Sequence, residues 1–305
     1  MRNKKNQHHI YLEGIDIMIE CIASDMDGTL LNSRQEVSPA NAEAIKLAQK
    51  KGIHFVVTTG RSYEEARLVL DPVGIDCTVI GLNGAEVRDE KGKLLKTSGL
   101  DPLTASQVAD VFDQLGIYYE FFTNKGTYTE DYEENMDMLV NLFHTANPEV
   151  PVEEVRNYIE QRGIRRYVHN IRDTKDIFHD PSILFYKILA FNEEEQRLRK
   201  IGKDLEKDFP DIKVTSSGFR NIEINHVSAQ KGIALKEYTE KHGLSMEKTM
   251  AIGDNLNDIS MLERVGYPFA MGNAENEVLE ICRYRTKRND EDGVAKAIYR
   301  MLEMC

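Results

Sequence analysis

Two aspartates separated by a single residue stand directly after a mostly apolar segment of the chain. Asp25 and Asp27 open the run DMDGTL, and the apolar segment before them covers residues 19–23. Two carboxylates about 4 Å apart repel each other by roughly 1 kcal/mol in water and by about 4 kcal/mol at a partly buried site. A fold that places such a pair at the end of a buried strand therefore indicates a use for it. Magnesium binding combined with nucleophilic attack is one such use.

The run DMDGTL has two other interpretations. Asp and Gly are common in surface turns. Asp25, Asp27 and Thr29 also match the spacing of the first ligands in a calcium loop, but that loop requires Gly where this chain has Leu30. No helix-forming segment precedes Asp25, so the calcium loop is disfavoured. A plain surface turn stays open on this run alone.

Further polar residues stand at the ends of other apolar segments. Thr59 and Gly60 follow the segment 53–58, and Asp254 follows the segment 249–252. Lys231 stands where a helix is predicted to begin. In a parallel sheet, ligands bind beyond the carboxyl ends of the strands. We therefore expect these residues to lie close to Asp25.

The chemistry that these residues could share is phosphoryl transfer. Asp25 would be the nucleophile that forms an aspartyl-phosphate. Asp27 would protonate the leaving alkoxide and later act as the base that activates water. That role favours a raised pKa and a carboxyl group that is free to exchange a proton.

The phosphate dianion must be neutralised before a carboxylate can attack it. A Mg²⁺ ion held by Asp25 and Asp254 would do this, because carboxylate oxygens are ligands that Mg²⁺ prefers. For the phosphate oxygens, Thr59 offers a hydroxyl group, Gly60 a backbone N–H and Lys231 a positive charge.

The segments that must position these residues differ along the chain. Short β-rich segments alternate with amphipathic helices over residues 18–84 and again over 226–305, which predicts an α/β core with a doubly wound parallel sheet. Residues 85–225 carry hairpin-like pairs of strands with helices between them, which predicts an inserted α+β unit with an antiparallel sheet. Residues 1–17 are polar and lack an apolar signal core, so we expect a disordered leader that need not belong to the native protein.

Composition limits the classes of partner. The 305-residue chain has a net charge of −12, which argues against nucleic acid as a partner, and no stretch approaches the roughly 18 apolar residues of a membrane helix. Its four cysteines are widely spaced without a C-x-x-C pair, which favours free thiols in a reducing cytoplasm. We expect a small phosphorylated ligand, no membrane contact and either a monomer or a dimer.

Taken together, four motifs resemble the haloacid dehalogenase superfamily, specifically its Cof-type class IIB phosphatases. They are DMDGTL from Asp25, the TGR run at 59–61, Lys231 in a setting where the expected Ser is displaced to Ser228, and GDNLND from Gly253. The resemblance covers about residues 19–302. It implies a Rossmann-like core with an inserted mobile cap, and a magnesium-dependent phosphatase of small phosphorylated metabolites such as sugar phosphates, nucleotides or cofactor phosphates.

The same resemblance implies roles for individual residues. The magnesium ligands would be Asp25, the backbone carbonyl of Asp27, and Asp254. The phosphate-binding residues would be Thr59, Gly60, Lys231 and Asn257. Asp258 would orient its neighbours, and further candidates near the substrate are Arg61 and Asn83.

Two other functions stay open on this fold. A phosphomutase of the phosphomannomutase type needs extra cationic groups in the cap, and such groups cluster at Arg162, Arg165, Arg166 and His169. A solvated face is the other interpretation of that cluster. The second alternative is a catalytically idle binding protein.

The cap also contains aromatic residues that are candidates for a stacking surface on the substrate. They could equally pack against the cap's own helices: Tyr118, Tyr119, Phe121, Phe122 and Tyr128.

Overall fold

The structure is a computed structural model. It describes residues 19–303 except 132, 134, 135, 138, 139, 142, 143, 145–149, 162–167 and 217–219, and it does not describe the side chains of 158, 159, 161 and 175. The predicted leader, 1–17, lies outside the described residues, as do three arginines of the cationic cluster, Arg162, Arg165 and Arg166.

The strands and helices follow the alternation expected from the sequence. The strands are β1 (Cys21–Ser24), β2 (His54–Thr58), β3 (Thr78–Gly81), β4 (Glu86–Arg88), β5 (Leu94–Thr97), β6 (Tyr118–Thr123), β7 (Gly126–Thr129), β8 (Val168–Asn170), β9 (Phe185–Phe191), β10 (Ile212–Thr215), β11 (Asn221–His226), β12 (Thr249–Gly253), β13 (Tyr267–Ala270) and β14 (Tyr284–Arg285). The helices with described bounds are α1 (Pro39–Lys50), α2 (Tyr63–Leu70), α3 (Pro102–Leu115), α4 (Val152–Gln161), α5 (Glu195–Asp208), α6 (Lys231–Lys241), α7 (Ile259–Leu262), α8 (Asn276–Ile281) and α9 (Gly293–Glu303).

Eight strands form the sheet that contains β1, the strand directly before the DMDGTL run. Their order is β14-β13-β12-β1-β2-β3-β4-β5, and every pair from β14 to β3 is parallel. Strand β1 is central, with β12 on one side and β2 on the other. The carboxyl ends of these three strands therefore meet at one edge of the sheet, which brings three of the four motifs within reach of one another. The fourth motif residue, Lys231, is the first residue of helix α6.

Helices cover both faces of this sheet. Helices α1, α2 and α9 pack on one face around Ile22 and Val57, while α6 and α7 pack on the other around Ala23 and Val56. Alternate residues of one strand thus enter different cores, as the period of a strand requires. This two-sided covering confirms the doubly wound, Rossmann-like α/β fold.

The hairpin of β4 and β5 belongs to the eight-stranded sheet. The sequence analysis placed these strands in the insert, but β4 pairs antiparallel with β3, and β5 pairs with β4. The chain reverses at Leu82–Gly84, where Asn83 has φ 57° and Gly84 has φ 100°. This tight reversal lays β4 beside β3, so the separate second sheet begins only after β5.

The second sheet has six strands in the order β10-β11-β9-β6-β7-β8. Its pairs are antiparallel, as expected, except that β7 and β8 run parallel. Helices α3 and α5 cover one face around Phe121, Ile188 and Ile222. Tyr119 and Phe121, two of the aromatic residues considered for stacking, pack into this helix-covered core. The alternate residues of these strands point to the opposite face of the sheet.

Candidate active site

The DMDGTL run folds tightly against the residue that follows β12. The Asp25 N–H donates to the carbonyl of Ile252 on β12 at 3.0 Å, and the chain then turns at Gly28, which has φ 75°. A Cβ atom on Gly28 would lie 2.3 Å from Oδ2 of Asp254. Glycine is therefore required here both for its backbone conformation and for the close approach of the Asp254 carboxylate.

Three buried carboxylates converge at this edge of the sheet. Asp25, Asp254 and Asp258 each offer an oxygen, and these oxygens lie within 4.8 Å of one another. Both oxygens of Asp258 are already engaged: Oδ1 accepts from Lys231 Nζ at 2.7 Å, and Oδ2 accepts the N–H groups of Asp254 and Asn255. Asp258 thus orients Lys231 and the Asp254 backbone, whereas Asp25 and Asp254 present carboxylates to the centre of the cluster.

Lys231 is the cation that faces the cluster. Its Nζ donates to Asp25 Oδ1 at 2.6 Å as well as to Asp258, and its side chain is fully buried. Burial by itself lowers the pKa of Lys231, but the charges of Asp25 and Asp258 outweigh it and hold that pKa above its ordinary value. Lys231 therefore stays protonated and neutralises one of the three carboxylates.

The remaining carboxylates carry an excess of negative charge. Burial, reinforced by the charge of Asp258, raises the pKa of Asp25 well above its usual range although Lys231 opposes the shift. The same two causes raise the pKa of Asp254 to about 7. A cluster of buried oxygen donors short of positive charge has the composition of a divalent-cation site. The described residues thus fit a metal ion of the magnesium type.

Asp27 is paired with Arg61. Its carboxylate accepts Arg61 Nε at 2.8 Å and Nη2 at 2.6 Å, although its side chain is 46% exposed. Desolvation by itself raises the pKa of Asp27, but the charge and hydrogen bonds of Arg61 bring that pKa below its ordinary value. We expected the Asp27 carboxyl to be free and its pKa to be raised. In the structure it is paired and its pKa is lowered, because the TGR loop after β2 places Arg61 directly opposite Asp27.

The residues considered for phosphate binding lie beside this cluster. Thr59 is fully buried after β2, and its carbonyl accepts the Asn83 N–H at 2.9 Å. The side chain of Asn83 in turn accepts from Asn257 Nδ2 at 3.3 Å. Gly60 is held by the second sheet, since its carbonyl accepts from Lys187 Nζ at 3.0 Å. The candidate catalytic, metal and phosphate residues thus meet at one edge of the eight-stranded sheet, whereas the cap residues considered for stacking lie in the second sheet.

Three residues in this region were not assigned to the site from the sequence. Thr29 lies inside the DMDGTL run, and its hydroxyl donates a hydrogen bond to Asp254 Oδ1 at 2.7 Å. Lys187 and Glu223 come from β9 and β11 and form a buried ion pair beside Gly60. The available signal was a charged residue inside a predicted strand, as in FYKILAF and NIEINH.

Comparisons with known proteins identify the family of the chain. The sequence matches the haloacid dehalogenase-like hydrolase family over residues 22–298. It is 35% identical over 286 residues to a Bacillus subtilis protein named phosphatase YwpJ, covering 93% of this chain and 100% of that protein. It is 32% identical over 289 residues to 5-amino-6-(5-phospho-D-ribitylamino)uracil phosphatase YwtE of the same organism, covering 93% of this chain and 98% of that protein.

The solved structures lead to the same conclusion. A haloacid dehalogenase-like hydrolase from B. subtilis matches the fold with a TM-score of 0.84 at 35% identity, covering 92% of this chain and 99% of that chain. These matches confirm the resemblance first seen in the four motifs. The chain belongs to the haloacid dehalogenase-like hydrolase family, in which it is a phosphatase of the Cof type.

Proposed function

We propose that the protein is a magnesium-dependent phosphatase that hydrolyses small phosphorylated metabolites through an aspartyl-phosphate on Asp25. The observation that carries the proposal is the contact of 2.6 Å between Asp25 and the buried Lys231, inside a cluster of three carboxylates. Relatives named as phosphatases of a ribitylaminouracil phosphate and of pyridoxal phosphate support a small phosphorylated substrate.

Asp25, the backbone carbonyl of Asp27, and Asp254 are the proposed ligands of Mg²⁺. When bound, the ion would supply positive charge that lets a carboxylate approach a phosphate dianion. The tight approach of Asp254 to Gly28 and its hydrogen bond from Thr29 support this assignment, because they hold the Asp254 carboxylate in one orientation.

The protein's own residues account for the covalent steps. Asp25 attacks the phosphorus, so that a bond forms from its carboxylate oxygen as the bond to the ester oxygen breaks. Asp27 gives a proton to the departing alkoxide and then takes one from the water that hydrolyses the aspartyl-phosphate. Inorganic phosphate leaves and Asp25 is regenerated. Because Arg61 holds Asp27 ionised, their pairing must loosen when substrate enters.

The phosphate oxygens would bind the Thr59 hydroxyl, the Gly60 N–H, Lys231 and Asn257. Asp258 would keep Lys231 in place. Arg61 would act through Asp27, and Asn83 would link Asn257 to the second sheet.

The second sheet and its helices form the proposed cap. The pairing of β4 and β5 with the core supports a cap that begins after β5 rather than at residue 85.

No described helix is long and apolar enough to cross a membrane. Three described cysteines are buried free thiols, which supports the proposed cytoplasmic location: Cys21, Cys77 and Cys282.

The direct test is Asp25→Asn, assayed with Mg²⁺ and 4-nitrophenyl phosphate. We expect a loss of at least about 10³-fold in kcat with an unchanged circular dichroism spectrum, because the amide is not a competent nucleophile. Asp208→Asn, an exposed change at the end of α5, is the matched control and should keep full activity. Unchanged turnover of Asp25→Asn would contradict the mechanism.

The two alternatives are tested by the products. A phosphomutase would yield an isomerised sugar phosphate, whereas a phosphatase releases free phosphate. A wild-type protein that stays silent with Mg²⁺ over a panel of phosphorylated metabolites would instead favour an idle binding protein.

A further inference from the structure

We propose that Lys187 and Glu223 recognise the leaving group, and that they select a substrate with a hydroxyl group close to the phosphoester. This inference rests on the proposed phosphatase function and names the chemical class of its substrate. The class is a polyol or sugar phosphate, as opposed to the phosphate ester of a flat aromatic alcohol.

The two residues form a buried ion pair on the second sheet. Lys187 lies on β9 opposite Asn225 of the neighbouring strand β11, and Glu223 lies two residues before Asn225, so the two side chains are diagonal neighbours on one face of the sheet. Lys187 Nζ contacts Glu223 Oε1 at 2.5 Å, and the two side chains are only 3% and 1% exposed. They project from the sheet face opposite the one that α3 and α5 cover, because the alternate residues Ile188 and Ile222 enter that helix-covered core.

The pair reaches the proposed phosphate-binding residues directly. Lys187 Nζ donates to the carbonyl of Gly60 at 3.0 Å. Glu223 Oε2 accepts from Asn83 Nδ2 at 2.7 Å, and Asn83 is itself bonded to Asn257. A substituent that extends from a phosphate bound at Gly60 and Asn257 would therefore lie next to the Lys187–Glu223 pair.

A structural role alone is a weak explanation for the pair. Removing two charges from water is costly, and well-packed apolar residues usually replace a buried ion pair without loss of stability. One apolar group lies next to the pair, since the centre of the Phe122 ring is 4.7 Å from Lys187 Nζ. The pair contacts Gly60 and Asn83 of the proposed phosphate site, so a polar ligand bound there accounts for both charges.

The chemistry of the pair defines that ligand. A hydroxyl group can donate to the Glu223 carboxylate and accept from the Lys187 ammonium at the same time. An aromatic alcohol without a neighbouring hydroxyl offers neither bond. Glu223 also neutralises Lys187, so the pair is poorly suited to a second phosphate group, which a bisphosphate-dependent mutase would have to hold.

The test compares kcat/KM for a pentitol 5-phosphate and for its 4-deoxy analogue, with 4-nitrophenyl phosphate as a third substrate. We expect the wild-type protein to prefer the pentitol phosphate over the deoxy analogue about 10- to 100-fold, as is typical for one hydrogen bond to a charged group. In Glu223→Gln and Lys187→Met this preference should fall to less than about 3-fold. The loss should lie mainly in KM.

The control is Lys213→Met, which removes a more exposed Lys–Glu pair from the neighbouring strand β10. It should keep the wild-type preference. The wild-type comparison needs no variant, so it tests the inference even if a substitution impairs folding. The inference is wrong if kcat/KM is equal for the pentitol phosphate and its deoxy analogue, or if the preference survives Glu223→Gln. Activity on 4-nitrophenyl phosphate would still support the phosphatase function in either case. Inactivity on all three substrates would overturn both.

Discussion

Arg61 binds the carboxylate of Asp27 through two hydrogen bonds, one from Nε at 2.8 Å and one from Nη2 at 2.6 Å. The same Nη2 also contacts the side chain of Gln35. In the proposed mechanism Asp27 must carry a proton, whereas a bidentate arginine favours the ionised carboxylate. Arg61 therefore positions Asp27 before the reaction and must release it as the substrate enters.

A double-mutant cycle tests this dependence of Arg61 on Asp27. We expect Asp27→Asn to lower kcat about 10²- to 10⁴-fold, because the proton donor is lost. Arg61→Met should lower it about 10-fold, because Asp27 loses its orientation. The double variant should be no slower than Asp27→Asn, since Arg61 acts through the residue already removed. Multiplicative losses in steady-state assays would contradict this relationship and indicate that Arg61 has a separate contact with substrate.

The hydrogen bond from Thr29 to Asp254 should support metal binding. Thr29→Val removes the hydroxyl that reaches Asp254 Oδ1 at 2.7 Å and leaves a buried carboxylate oxygen without that donor. We expect the Kd for Mg²⁺, measured by calorimetric titration, to rise at least about 10-fold.

Thr58→Val is the matched control for this prediction. Thr58 is also fully buried at the end of β2, but among the described residues its hydroxyl donates to the sulfur of Met261, at 3.2 Å, and not to a carboxylate. Its substitution should change the Kd less than about 2-fold. Equal effects of the two substitutions would show that the loss at Thr29 comes from packing and not from the Asp254 hydrogen bond.

Lys231 should be essential for stability as well as for chemistry. Lys231→Met leaves Asp25 and Asp258 buried without the cation that now lies between them. We expect the free energy of unfolding in urea, measured with EDTA present, to fall by about 3 to 5 kcal/mol.

Lys236→Met gives the comparison on the same helix. Lys236 pairs with Glu240, and both side chains are more than half exposed. The expected change in the free energy of unfolding is below about 0.5 kcal/mol. The interpretation fails if Lys231→Met stays within about 1 kcal/mol of the wild-type protein.

Buried thiols should make the protein sensitive to alkali. Burial raises the pKa of Cys21 from its ordinary value near 9.0 to about 12, and that of Cys77 likewise. Above about pH 9 the unfolded chain releases these protons while the folded chain keeps them. The stabilising contribution is therefore fully present below about pH 9 and is lost as the pH rises toward 12, by about 1.4 kcal/mol per pH unit for each thiol.

The cysteine prediction is checked by urea unfolding at about pH 8 and pH 10. Cys21→Ala should lose about 1 kcal/mol less than the wild-type protein between these values, since one titrating thiol is gone. Ile22→Val, on the same strand, removes core volume without a thiol and should show the wild-type dependence on pH. Parallel curves for all three proteins would contradict the prediction.

Local patterns in the sequence were sufficient for the main parts of the catalytic edge. Asp25, Thr59 and Asp254 each follow a short apolar segment, and parallel strands bring such ends together whatever their loops contain. The alternation of strands and helices likewise predicted the doubly wound sheet, because side-chain period and helix-start signals act within a few residues. The family resemblance supplied roles that spacing alone leaves open.

The hairpin of β4 and β5 shows that local patterns do not predict which sheet a strand joins. The sequence predicted two short strands there, but which sheet they join depends on the reversal at Asn83 and Gly84, and each of two sheets offered an edge. The Lys187–Glu223 pair shows the same limit, since Lys187 is 127 residues from Gly60 in the chain.

The sequence by itself thus determined which residues could perform phosphoryl chemistry and that they lie at one edge of a parallel sheet. Three contacts were decided only by the tertiary structure. Arg61 binds the carboxylate of Asp27, and Asp258 accepts a hydrogen bond from Lys231. The Lys187–Glu223 pair contacts the carbonyl of Gly60 through Lys187. The physical reason is that each of these contacts depends on how distant elements pack, and packing is decided by the shapes and charges of whole surfaces rather than by any short segment.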